Sequence, residues 1–217
     1  MVESRAGAAS SAEWCRGFID HCCIFRSPPG QPLLTSKYAG RNTWQFYFPI
    51  ATLNQEFARR IGELFWDRYA ARFAKQPFQL AGCESGGLPL ICALQAAAHA
   101  FRVPVYVFEA KKAKKTYGIG NWLEGVVDAR LPVVLVDDVV GGGNTLTAQA
   151  RRLSEFGLEL AGAFCVASCK HKPPLTIKLG DRSIEVEALF GPDDFARTHE
   201  RYVAKYGRAP QFQGTVV

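Results

Sequence analysis

Apolar and polar positions along the chain fall into repeated units, each a short apolar run followed by a stretch with helical periodicity. Pro132–Val136 is the clearest run: apolar, mostly β-branched, too short for a typical helix, and suited to a strand buried on both faces. Thr147 to Phe156 then repeats at helical spacing. Phe78 to Ala81 reads as a second buried strand, leading through the turn Gly82–Pro89 into an Ala-rich helix ending near Phe101. Pro104–Phe108 and Leu160–Ala167 add two more strands, and Leu123–Val127 a hairpin arm. Thr52 to Lys75 predicts one long helix covering the sheet, with Leu53, Phe57, Ile61, Leu64, Phe65 and Tyr69 on one stripe and Thr52 as N-cap. Ile177–Leu179 and Ile184–Leu189 alternate around Gly180-Asp181-Arg182, which predicts an edge hairpin, and Gly191–Asp194 then caps a short helix from Phe195 to Tyr206.

Towards the N-terminus, Trp14, Phe18, Ile19, Cys22 and Cys23 recur at helical spacing, and Pro28-Pro29-Gly30 ends that helix. Residues 1–12 are small and polar and read as disordered. Leu33 to Ile50 is extended and aromatic-rich. Strand–helix alternation of this kind predicts a doubly wound α/β fold with a mostly parallel sheet. The expected layout is a single domain over residues 13–217, with an N-terminal segment (13–50) beside a core (51–217).

Composition narrows the function classes. The 217 residues are 48% apolar, which suits one domain with a sizeable core. No apolar run approaches the roughly 20 residues of a membrane span; the longest, Leu88 to Phe101, contains Gln95 and His99. Glu3 and Arg5 precede no hydrophobic segment, so no signal peptide is expected. Seven cysteines, an odd number without a CxxC pair, fit reduced thiols in a cytoplasm better than a disulfide framework or a zinc site. Of the net charge of +6, Lys111, Lys112, Lys114 and Lys115 supply four, so the basicity is local. A local basic cluster suits a small polyanion at least as well as nucleic acid.

Candidate chemistry concentrates after the strand at Pro132. Asp137 and Asp138 close it, followed by Val139, Val140, Gly141, Gly142, Gly143, Asn144 and Thr145 at the start of a helix. Glycines let backbone N–H groups approach a phosphate, and a helix N-terminus favours negative charge. Carboxylates cannot bind phosphate, so the acid pair is read as a partner for sugar hydroxyls or a metal. A buried strand ending in a flexible turn would not require two acids and three glycines together. The turn Glu84-Ser85-Gly86-Gly87 repeats the strand–glycine–helix arrangement; it lacks the Gly-Lys-Ser/Thr of a Walker loop, and Cys83 replaces the first glycine of a nucleophile elbow. His99, His171 and His199 do not cluster in sequence.

Val133–Thr145 resembles the phosphoribosyl-diphosphate (PRPP) motif of type I phosphoribosyltransferases: four apolar residues, two acids, two apolar residues, and a small-residue loop ending in Thr or Ser. The family usually has hydroxyl residues at Gly141 and Gly142 and glycine at Asn144. Gly40-Arg41, Thr43 and Phe46-Tyr47 resemble the hood hairpin of orotate phosphoribosyltransferases, with Lys37 one place out of register. Lys111 and Lys114 match the two lysines of that group's flexible catalytic loop, here about residues 110–121. Three cations of the pattern are missing: Ala110 stands for Arg, Ser85 for Lys, and Cys169 for the Arg that reaches the orotate carboxylate, leaving Lys170 one place away.

The resemblance implies a Mg²⁺- and PRPP-dependent phosphoribosyltransferase of the orotate type. Asp137 to Thr145 would bind PRPP, Glu84, Ser85, Gly86 and Gly87 the pyrophosphate, and Lys37, Phe46, Tyr47 and Lys170 the base. Asp137, Asp138, Lys111 and Lys114 would be catalytic, and Mg²⁺ would be held mainly by PRPP and water near the acid pair. A homodimer is implied, with no nucleic-acid or membrane partner. A non-catalytic PRPP- or nucleotide-binding regulatory paralogue, or an enzyme acting on another base, is the alternative.

Overall fold

The computed structural model describes residues 3–26, 44–113, 121–170 and 175–199. Strands β1 (Ile24–Arg26) and β2 (Trp44–Phe46) pair antiparallel as a separate two-stranded sheet. The remaining strands are β3 (Gln79–Cys83), β4 (Val107–Ala110), β5 (Leu123–Gly125), β6 (Val133–Val140), β7 (Leu160–Ser168), β8 (Leu175–Leu179) and β9 (Arg182–Phe190). They form one sheet in the order β5-β4-β3-β6-β7-β9-β8. From β4 to β9 neighbours pair parallel, and β5 and β8 add antiparallel edges. This is the mostly parallel α/β sheet expected from the apolar runs, with β6 at its centre.

The helices are α1 (Glu3–Phe18), α2 (Pro49–Thr52), α3 (Gln55–Lys75), α4 (Gly87–Ala98) and α5 (Asn144–Glu155). Alternation along β6 assigns them to faces. Val134 and Val136 join the cluster containing Phe57, Ile61 and Phe65 of α3 and Leu90 and Leu94 of α4. Val133 and Leu135 join the one containing Leu146, Ala150 and Leu153 of α5. On the first face Phe65 stacks on Tyr69 at 4.4 Å and meets Trp66 and Phe164 edge-on at 4.9 and 5.0 Å between ring centroids. The Trp66 indole N–H donates to the Leu94 carbonyl at 2.6 Å, satisfying the one polar atom of a fully buried ring.

Several boundaries differ from expectation. The first helix begins at Glu3, within the stretch read as disordered, and continues through a π-helical turn, Ile19–Cys23. Thr52 does not cap the long helix: it ends α2, where its hydroxyl donates to the Phe48 carbonyl. The N-cap is Asn54, whose Oδ1 accepts the Phe57 N–H at 3.0 Å. β6 does not stop at the acids but runs through Val140, held by pairing to β7. Within 195–199 the expected helix is a 3-10 turn, Ala196–Thr198. Among the described residues no helix is long and apolar enough to cross a membrane.

Phe65→Ala is expected to destabilise the protein by about 3–5 kcal/mol, because the three aromatic neighbours cannot all collapse into the space left. Urea unfolding followed by far-UV circular dichroism measures it.

Candidate active site

Because β6 continues past the acids, Asp137 and Asp138 are strand residues near its C-terminal end, and alternation sends them to opposite faces. Asp137 follows Val133 and Leu135 towards α5; Asp138 follows Val134 and Val136 towards α4. Asp137 is 7% exposed and lies in register with Cys165 of β7, with Cys83 of β3 on its other side. Both thiols are fully buried. The backbone relieves the pair in part: Asp138 N–H donates to Asp137 Oδ1 at 3.0 Å, and Val139 N–H to Asp138 Oδ1 at 2.7 Å.

Burial still dominates the electrostatics. It holds the Asp137 carboxyl well above the usual carboxylate range; the Asp138 charge adds to the rise and the Lys112 ammonium opposes it. Burial raises Asp138 too, against the N–H bonds it accepts. The thiols of Cys83 and Cys165 are pushed up by burial, with the Asp137 charge adding to both shifts.

Beyond Val140 the chain turns through Gly141–Gly143 into α5. Gly143 has φ +77°, a left-handed conformation that a side chain would strain, and it occupies the N-cap. No side chain caps this helix, so its first-turn amides and positive dipole end face a cleft of about 350 Å³. Asp137, Val139, Val140, Gly141, Gly142, Gly143, Asn144, Thr145 and Leu146 line the cleft. The sequence-predicted phosphate and sugar residues are thus brought together, except that Asp138 lies across the strand.

What Asp138 meets is the second glycine turn. A Cβ at Gly86 would come within 2.5 Å of the Asp138 carboxylate, and one at Gly87 within 2.1 Å of the Val136 carbonyl. Only glycine lets the turn between β3 and α4 sit this close to β6. The Glu84–Ser85 peptide is cis. Glu84 N–H donates to the Ala110 carbonyl at 3.2 Å, and Glu84 Oε2 accepts the Lys112 N–H at 2.7 Å, which joins the turn to the root of the lysine segment.

In that segment Lys111 departs from expectation. It is 3% exposed, and its ammonium pairs with Glu124 of β5 instead of closing over the cleft. The reason lies in the register: Glu109 faces Glu124 directly across β4 and β5, and Lys111, two residues on, shares their face. Lys112, which the family pattern does not single out, is exposed, and its ammonium opposes the rise of both aspartates. Nothing in a run of lysines distinguishes it before the strand parity is known. Lys114 and Lys37 lie outside the described residues. Phe46 packs against Trp44, Phe48 and Phe195, whereas Tyr47 is about half exposed and meets Phe25 edge-on. Lys170 is exposed just beyond β7, its N–H donating to Ser168 Oγ at 2.9 Å.

Among the described residues no three Asp, Glu, His or Cys side chains are grouped to hold a metal ion by themselves. The two aspartates are hard oxygen donors that suit Mg²⁺ sharing its shell with ligand oxygens and water.

Residues 51–192 match the phosphoribosyl transferase domain, and the chain belongs to that family. Within it, the chain is similar to orotate phosphoribosyltransferases of archaea. It is 33% identical to that of Archaeoglobus fulgidus over 107 residues, 49% of this chain and 57% of the relative. It is 34% identical to that of Pyrococcus furiosus over 123 residues, 56% of this chain and 64% of the relative. The matches thus span less than two thirds of these relatives. A phosphoribosyltransferase from Corynebacterium diphtheriae shares the fold at TM-score 0.62 and 17% identity, over 85% of this chain and 98% of that one. The orotate phosphoribosyltransferase of Mycobacterium tuberculosis, solved with PRPP, does so at TM-score 0.54 and 16% identity, over 87% and 91%.

Two outcomes follow from the packing. Gly86→Ala is expected to destabilise the ligand-free protein by about 1–3 kcal/mol in urea unfolding, since the new methyl overlaps the Asp138 carboxylate; Ser85→Ala, exposed and one residue away, should stay within about 0.5 kcal/mol. For Asp137 the folded pKa is raised, so the folded state binds the proton more tightly than the unfolded state does. Its contribution to stability is therefore present below about pH 4 and is lost as pH rises towards and through the folded value. Asp137→Asn should melt higher than wild type at pH 8 by a few degrees, with the gap closing at pH 4, as scanning calorimetry would read.

Proposed function

We propose that the chain is a PRPP-dependent phosphoribosyltransferase of the orotate type, transferring the 5-phosphoribosyl group to a nucleobase with release of pyrophosphate. The observation that carries this reading is the acid pair of β6, Asp137 buried and Asp138 half-buried, running straight into the uncapped N-terminus of α5. An amide-lined, dipole-positive cradle suits the 5-phosphate, with Thr145 adding a hydroxyl. Asp137, on the same cleft, suits the adjoining ribose hydroxyls.

A buried carboxyl with a half-buried one on the next residue resists full ionisation, so positive charge arriving beside the pair is favoured. As the C1–oxygen bond to pyrophosphate breaks, positive charge builds on the sugar ring. The pair then interacts more strongly with the transition state than with the ground state, which is the form of stabilisation that raises turnover. Mg²⁺, when bound with PRPP, would supply charge neutralisation of the pyrophosphate, with Asp137 and Asp138 as its protein neighbours. Gly86 and Gly87 hold the second turn against Asp138, where its amides suit the leaving group.

Orotate is the first base to test, in keeping with the named relatives, although Cys169 stands where an Arg would meet its carboxylate. A cytoplasmic location, supported by seven free thiols, and a homodimer belong to the same proposal.

The test is pyrophosphate release from PRPP with Mg²⁺, against orotate, uracil and the purine bases. Release with orotate is expected, falling by about 10²–10³-fold in Asp137→Asn. If no base supports release while PRPP still raises the melting temperature, the regulatory reading replaces the enzymatic one.

A further inference from the structure

Three backbone carbonyls where the chain leaves β4 are held by side chains of α5. Gln149 Nε2 donates to the Ala110 carbonyl at 3.2 Å. Arg152 Nη1 donates to the Lys111 carbonyl at 2.7 Å and to that of Lys112 at 3.1 Å. Where the chain enters β5, the Arg152 guanidinium lies over the Trp122 ring, 3.9 Å from its centroid, and the Trp122 carbonyl accepts the Lys111 N–H at 3.1 Å. Both stems of the β4–β5 connection are therefore tied to the helix whose N-terminus forms the cradle.

Gln149 is placed there at a cost. It is 2% exposed, and its Oε1 is buried with no hydrogen-bond partner among the described residues. A half-satisfied amide is a costly filler on the face of α5 that also buries Leu146, Ala150 and Leu153, so its use there is the bond to Ala110. The same stem reaches the far side of the site. The Ala110 carbonyl also accepts the Glu84 N–H at 3.2 Å, and Glu84 Oε2 accepts the Lys112 N–H at 2.7 Å. Helix α5, the stems and the turn packed on Asp138 thus form one connected edge, in which Arg152 holds two carbonyls and a ring. An anion at the uncapped end of α5 satisfies its first-turn amides and suits its dipole, which stabilises the helix against opening. Backbone that opens only together with α5 is stabilised by the same amount.

We propose that Arg152 is a positioning residue that transmits occupancy of the phosphate cradle to the β4–β5 stems, so that a phosphate monoester bound at α5 tightens the backbone at 110–112 and 122–123. The proposal rests on the reading of the α5 N-terminus as a phosphate site and adds to it a route from that site to the opposite turn. Arg152 touches no ligand in this role; it acts through the carbonyls of Lys111 and Lys112 and the ring of Trp122.

Hydrogen exchange read by mass spectrometry tests it, with ribose 5-phosphate at about ten times the dissociation constant measured for each protein. In wild type, exchange at the start of α5 and in both stems is expected to slow by about tenfold. In Arg152→Ala, α5 should slow as before while the stems change by less than about twofold. Arg152→Met keeps a long side chain over the indole but no donor. It is expected to behave as Arg152→Ala does, and it carries the test if circular dichroism shows that variant unfolded. Stems that slow equally in wild type and variants would overturn the Arg152 assignment and leave the proposed function standing. Stems that stay unchanged in wild type while α5 slows would overturn it in the same way. Wild type without measurable ribose 5-phosphate binding would overturn the cradle reading, and this proposal with it.

Discussion

Two carboxyls side by side on the central strand of a sheet are the constraint around which this domain is arranged. Moving a carboxylate out of water is costly unless it is paired or hydrogen-bonded. Here the strand itself limits the cost. Alternation turns Asp137 and Asp138 to opposite faces, and each accepts a neighbouring backbone N–H. The elements around them complete the arrangement. On the Asp138 side a glycine turn closes to a distance that admits no side chain; on the Asp137 side the positive end of α5 opens beside a cleft. Burial still raises both carboxyls, so a positive charge placed beside the pair would be favoured.

Stability is supplied elsewhere. The aromatic wall of α3, set against α4 and Phe164, buries Phe57, Phe65 and Trp66 completely, and α5 closes the opposite face with Leu146, Ala150 and Leu153. Parallel pairing from β4 to β9 brings the strands' C-terminal ends to one edge, so both glycine turns and the lysine root emerge together. A rigid, apolar frame can in this way hold a polar edge that would be unfavourable alone.

Much of this was legible in the sequence. β-branched runs marked the strands because central parallel strands are apolar on both faces, and the Asp-Asp-Val-Val-Gly-Gly-Gly run marked the cradle because few other structures need acids and glycines together. Less legible was whatever depended on register. The cap of α3 moved from Thr52 to Asn54 because α2 uses Thr52 to close its own last turn. β6 ran on past the acids because β7 continues to pair with it, which no local propensity records. The cysteines beside Asp137 lie 54 and 28 positions away in the chain, and only the sheet makes them neighbours.

The two lysines show the same limit most clearly. Similarity of motif favoured Lys111, since the family pattern has a lysine at that place. Pairing of β4 with β5 sets Glu109 opposite Glu124, and like charges opposed across an antiparallel pair are destabilising. Lys111 brings a cation to that face, and burial at 3% exposure makes its pairing with Glu124 costly to break. The acids that recruit Lys111 at the edge of the sheet thereby leave Lys112, the next residue, exposed. Strand parity, not lysine content, thus decides which lysine is paired at the edge of the sheet and which is left exposed.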